Sequence, residues 1–184
     1  MQLPTIIHSS RGQTLVEALI ALTLLTVGFI GIATLLTKSF QLNRTTMNNA
    51  QATYLAAEGI EITKNLIDHD IYVGLPGNDD FGNCFYDGSG YYYPIDYQTV
   101  ASPATDCSGV LNYSTTPPNT PLYFNPTTHS YVASSLGAMP TNFTRNVKIT
   151  ESSDAIDVQS TVTWTDGGSS NAVTLEDVFY DWHP

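Results

Sequence analysis

From Leu15 to Thr37 the chain is apolar apart from scattered threonines, and its one ionisable side chain there is Glu17. At ~1.5 Å rise per residue the run makes a helix of ~34 Å, enough for a hydrocarbon core of ~30 Å. Residues 13–37 therefore read as a membrane-spanning helix. A secretory signal has a shorter apolar core and a small-x-small exit, whereas this run passes directly into Lys38-Ser39-Phe40. The helical pattern then continues. No proline occurs from Ser39 to Ile67, and Leu55, Gly59, Ile62 and Leu66 recur at spacings of four, three and four. That spacing puts them on one face, so residues 38–67 read as an amphipathic extension of the same helix. Gly59 costs about 1 kcal/mol relative to alanine in a helix. Either a sheet approaches closely there or the glycine is merely tolerated.

The period changes to two near the C-terminus. Phe143, Arg145, Val147 and Ile149 alternate with Thr144, Asn146, Lys148 and Thr150. After the Ser152-Ser153-Asp154 turn, Val158, Ser160, Val162 and Trp164 share one face of a second strand. Asp166-Gly167-Gly168 leads into a third run through Val173, Leu175 and Val178–Tyr180. Three alternating runs joined by two turns predict an antiparallel β-meander over 143–184. Its apolar face needs a cover, and the outer half of the helix is the nearest candidate. The expected fold class is α+β.

Between helix and meander, residues 68–142 hold most of the prolines and tyrosines. Tyr91–Tyr93 reads as a short strand. Leu122-Tyr123-Phe124, a turn at Asn125-Pro126-Thr127-Thr128, and Ser130-Tyr131-Val132 read as a hairpin. Cys84 and Cys107 fall in this loop-rich stretch. Outside the cytoplasm such a pair most simply forms one disulfide, stabilising by ~3 kcal/mol through closure of about two dozen residues.

Charge narrows the function classes. The formal net charge is −11, and the few cations beyond Lys38 are scattered, which disfavours nucleic acid as a partner. Arg11 before the apolar run places the N-terminus in the cytoplasm by the positive-inside rule, with Lys38 opposing it. A charged group at mid-membrane costs about 2.5–3.5 kcal/mol, and less near the interface. Glu17 therefore either sits at headgroup level or awaits a partner.

Glycine, a cut, then Thr14-Leu15-Val16-Glu17 and an unbroken apolar helix resemble the N-terminal signal of type IV prepilins and pseudopilins. That resemblance implies a leader, residues 1–12, removed by prepilin peptidase after Gly12, followed by methylation of the new amine on Gln13. It also implies that Glu17 compensates such an amine, often a neighbouring subunit's, and that other pilin subunits and the inner-membrane pilus assembly machinery are partners. Gln13 stands where the family usually has phenylalanine. The segment Ser160–Gly168, the later Val173-Thr174-Leu175 and the closing Asp181-Trp182 look like the C-terminal sheet of PilV-like minor pilins, as does Val27–Gly31. The implied protein is a minor pilin: an inner-membrane precursor, then part of an extracellular filament.

Other chemistry is thinly supported. Asp79 and Asp80, with Asn78, Asn83 and Asp87, offer oxygen ligands suited to Ca²⁺, but the EF-hand pattern is missing and solvated turn acids are the better reading. Tyr86, Tyr91, Tyr92, Tyr93, Tyr97 and Tyr113 either pack locally or present an adhesive surface. No spacing of His8, His69, His129 or His183 supports a nucleophile–base pair. No cofactor and no catalysis are expected. Three rivals share these features: a minor pseudopilin of a type II secretion machine, a signal-anchored surface binding protein that never polymerises, and, least supported, an extracellular enzyme.

Overall fold

The computed structural model describes residues 11–73, 81, 85, 88–96, 113–152 and 154–181. Its first element is a helix, α1 (Arg11–Val73), which continues beyond the expected end at Ile67. Six strands follow: β1 (Gly88–Tyr93), β2 (Thr120–Asn125), β3 (Ser130–Val132), β4 (Met139–Ser152), β5 (Ala155–Asp166) and β6 (Ser169–Tyr180). The architecture is α+β, a long apolar N-terminal helix followed by an antiparallel six-stranded sheet.

The sheet runs in the order β3-β2-β4-β5-β6, with β1 also paired to β4. The expected hairpin is present, with Tyr123 opposite Val132 and Asn125 opposite Ser130. The Asn125 carboxamide closes its turn by accepting from the Thr127 amide at 2.9 Å. The meander holds one register throughout: Phe143 faces Trp164 in β4–β5, and Val162 faces Val173 in β5–β6. Gly167 and Gly168 both adopt positive φ at the second turn, as a tight connection there requires. β4 is long enough to carry two partners on one side. β2 pairs its first half and β1 its second.

Alternation decides which side chains go inside. Ile156, Val158, Ser160, Val162 and Trp164 of β5 are buried, as are Phe143, Arg145, Val147 and Ile149 of β4. Successive strand residues point to opposite faces, so these positions form one continuous inner surface. Two clusters result. Ile62, Leu66 and Ile67 of the helix join Tyr93, Val147, Ile149, Ile156 and Val158. Ala52, Leu55 and Ala56 join Leu122, Phe143, Val162 and Trp164. The helical cover expected for the meander is thus supplied by residues 52–67.

The chain divides into two compact units, Met1–Thr46 and Met47–Pro184, and α1 contributes to each.

Candidate functional site

In the first unit the described residues are helical and their side chains are exposed from Gln13 onward. Leu15, Val16, Leu19, Ile20, Leu24, Leu25, Phe29 and Ile30 all lie open. The segment is long and apolar enough to cross a membrane, and none of its most apolar window is buried within the protein. Its threonines do not spoil that surface. Thr23 donates to the Ile20 carbonyl at 2.8 Å, Thr26 to Thr23 at 2.9 Å and Thr34 to Gly31 at 2.8 Å. Each hydroxyl is satisfied within its own helix, which lipid or an apolar neighbour demands.

Glu17 cannot be satisfied in that way, because a carboxylate has no proton to give to a helical carbonyl. It lies four residues after Gln13, hence on the same helix face and ~6 Å further along the axis. A new amine on Gln13 would sit about one turn from this carboxylate, with Gly12 immediately before it in the chain. Gly28 and Gly31 meet nothing where a Cβ would stand, so neither glycine is required by packing within this chain.

The second unit holds its own polar centre. Arg145 is an inner-facing residue of β4 with its side chain 2% exposed. Its Nη1 donates to the Leu55 carbonyl at 3.1 Å and to Glu58 Oε2 at 3.2 Å, and its Nη2 to the Ile95 carbonyl at 2.9 Å. One guanidinium thereby ties the helix to β4 and to the segment after β1. Burial pushes its pKa below the usual value, and Glu58 and then Asp96 oppose that shift. Asp96 in turn accepts from the Ala133 amide at 2.9 Å, just past β3. The alternation put Arg145 on the inner face, but nothing in the sequence named its partners.

The tyrosines mostly pack. Tyr93 is buried, with its ring 5.5 Å from Phe85 in an edge-on pair. Tyr91 meets Tyr113 at 4.8 Å, and Tyr113 remains half exposed. Tyr86 and Tyr97 lie outside the described residues. So do Cys84 and Cys107, and the acidic loop of Asn78, Asp79, Asp80, Asn83 and Asp87. Among the described residues no cluster of His, Cys, Asp and Glu is arranged to hold a metal.

No curated protein and no solved structure matches this chain. Residues 7–33, the stretch that includes Gly12, Gln13 and Glu17, match the family model described as a prokaryotic N-terminal methylation motif, which supports a type IV pilin-like or pseudopilin subunit made as a membrane-anchored precursor.

Proposed function

We propose that this chain is a minor type IV pilin. Prepilin peptidase cuts it after Gly12, Gln13 becomes the methylated N-terminal residue, and the Gln13–Leu36 helix is drawn into a filament. The membrane holds the precursor, and the inner-membrane assembly machinery and other pilin subunits are its partners. The mechanism is assembly rather than turnover. Exchanging lipid contacts for close packing against neighbouring apolar helices supplies the association energy, through van der Waals contact and not through removal of apolar surface from water. Glu17 sets the register, because a carboxylate in an apolar surround is tolerated only beside a cation.

The observation that carries this reading is an exposed apolar helix with a single acid one turn from Gln13, the candidate new N-terminal residue, inside the methylation motif. The large tyrosine- and proline-rich segment 68–142 fits a low-copy subunit better than a densely repeated one.

Mass analysis of the mature N-terminus is the decisive experiment. A chain beginning at methylated Gln13 is the expected result. Protein that retains Met1–Gly12 in the assembled cell envelope overturns the proposal and leaves a permanent signal anchor.

A further inference from the structure

Among the described residues the sheet ends at β6, a 12-residue strand paired on one side with β5 in unbroken register. The Asp181 amide donates to the Asp154 carbonyl at 3.1 Å, continuing that ladder by one step. In antiparallel pairing, hydrogen-bonded positions alternate. Odd-numbered residues of β6 therefore bond to β5, and Ser170, Ala172, Thr174, Glu176, Val178 and Tyr180 turn their main-chain groups outward. Beside this edge lies an apolar shoulder, since Val173, Leu175 and Phe179 are only partly buried against the two cores. A long, regular, bulge-free edge next to half-covered apolar surface is a template for a further strand.

One residue interrupts the template. Asp177 faces Val158 in the register and so stands on the inner side of the sheet, where every neighbour on β5 is buried, yet it is exposed. Its carboxylate accepts from the Val178 amide at 2.9 Å. The outward amide of Val178 is thus already occupied by a charged side chain, and an incoming strand would have to displace it. We infer that Asp177 keeps β6 single, and that without it β6 pairs with β6 of a second copy.

The second copy is the occupant that the edge itself specifies. An antiparallel pair centred on Thr174 sets Ala172 against Glu176 and Ser170 against Val178, and avoids opposing the two Glu176 carboxylates. It does require a free Val178 amide. Two copies bring Asp177 to both ends of that pair, so one residue type acts twice. The global charge does not do the same work. Residues 47–184 carry 16 Asp and Glu against three Lys and Arg, a formal charge of −13, but at ~0.15 M salt repulsion beyond ~8 Å is largely screened. The inference goes beyond the proposed filament role and holds whether or not the chain polymerises. It concerns what stops subunits held at high local concentration from fusing edge to edge.

The test uses the full chain in detergent micelles at ~0.15 M salt, with the photo-crosslinker p-benzoylphenylalanine placed at Thr174. Position-specific crosslinking reads β6 pairing even where the apolar helices associate. The parent should give little crosslinked dimer. Asp177→Ala should raise it about tenfold, the change that ~1.4 kcal/mol produces. Adding Ala172→Pro, which removes an outward amide at an edge position where proline is tolerated, should return it to the parent level. Far-UV circular dichroism checks that each variant is folded. The inference fails if the parent already crosslinks as strongly, if Asp177→Ala gives no rise, or if the rise survives Ala172→Pro in a folded protein.

Discussion

A Cβ added to Gly59 would lie 2.5 Å from the Ser160 Oγ, closer than side chains approach one another. The same atom would meet Val147 Cγ2 at 3.2 Å and Arg145 Cδ at 3.3 Å. The helix thus rests on β4 and β5 at a point where only glycine leaves room. Ser160 is fully buried, and its hydroxyl finds no hydrogen-bond partner among the described residues. Thr63, one turn further along the helix, satisfies its own hydroxyl on the Gly59 carbonyl at 2.9 Å.

Gly59→Ala therefore sets two effects against each other. Helix propensity favours alanine by about 1 kcal/mol, while overpacking a tight contact costs about 1–3 kcal/mol. The expected net result is destabilisation by roughly 1 kcal/mol, because Val147 and Arg145 must also give way. Ser160→Ala alone should be neutral or stabilising, since it removes a buried unpaired hydroxyl. In the Ser160→Ala background, Gly59→Ala should lose most of its cost. Chemical denaturation of the four proteins in a double-mutant cycle checks this, and equal costs in both backgrounds would discard the contact as the cause.

Arg145 yields the second prediction. Removing one partner of a buried ion pair costs about 3–5 kcal/mol, and Arg145→Ala also takes the guanidinium from the Ile95 carbonyl, whereas the Leu55 carbonyl keeps the Gly59 amide of its own helix. Arg145→Met keeps most of the volume and removes the same donor from the Ile95 carbonyl, so it should cost less than alanine. Glu58→Gln should be milder still, because Glu58 is 32% exposed and solvent can serve it. The measurable order in denaturation midpoint is Glu58→Gln, then Arg145→Met, then Arg145→Ala. An Arg145→Ala protein as stable as the parent would remove the clamp from the account of the fold.

The pH behaviour of that clamp follows from the direction of its shift. Burial lowers the guanidinium value in the folded protein, so the unfolded chain holds this proton more tightly. Stability linked to Arg145 then rises with pH only as pH passes upward through the lowered value. Between about pH 6 and pH 9 the guanidinium contributes no slope. The difference in melting temperature between the parent and Arg145→Met should accordingly stay constant across that interval. A difference that drifts steadily with pH would show that another group dominates the site.

What was legible in the sequence follows the strength of its periodicities. The alternation from Phe143 onward marks the inner face of β4 and β5 because each step of two returns a side chain to the same side, and a covered sheet leaves no choice of register. The hairpin around Asn125-Pro126 is legible because its turn chemistry is local. Arg145 could be placed on the inner face but not explained. One of its acceptors is the Ile95 carbonyl, and main-chain acceptors in an irregular segment carry no side-chain signature. Gly59 allowed two readings for a similar reason, since a glycine's role depends on what approaches it from another element. The edge cap by Asp177 was invisible, because it depends on which amides face outward, and that is set by register rather than composition. The tyrosines at 91, 93 and 113 allowed either local packing or a surface role, and their rings pack on one another and on Phe85.

Cys84 and Cys107 lie outside the described residues, and the proposed bond between them remains a matter for chemistry. If the bond forms, intact mass under non-reducing conditions is two hydrogen atoms lighter than the reduced chain. Replacing both cysteines by serine should then lower stability by ~3 kcal/mol in the chain-entropy model. An unchanged denaturation midpoint in the serine variant, or free thiols in protein isolated from the cell exterior, would refute the pairing.

The assembly role of Glu17 is separable from folding, and that separation makes it testable. Glu17 is exposed on a helix whose neighbours are exposed too, and it belongs to the first unit, not to the unit that holds the sheet. Glu17→Ala should therefore leave the denaturation midpoint of the sheet domain unchanged, and should leave cleavage after Gly12 intact. Under the proposed assembly, what it removes is the charge opposite an N-terminal amine in the apolar interior. There an unpaired charge costs several kcal/mol, which at 1.4 kcal/mol per factor of ten corresponds to incorporation reduced by at least about tenfold. Glu17→Gln, which keeps the shape and a hydrogen-bonding oxygen but not the charge, should recover little. Quantifying the chain in sheared filaments against the amount retained in the membrane measures both variants. Normal incorporation of Glu17→Ala would mean that apolar burial alone selects this subunit, and the carboxylate would then be an interfacial residue with no part in register.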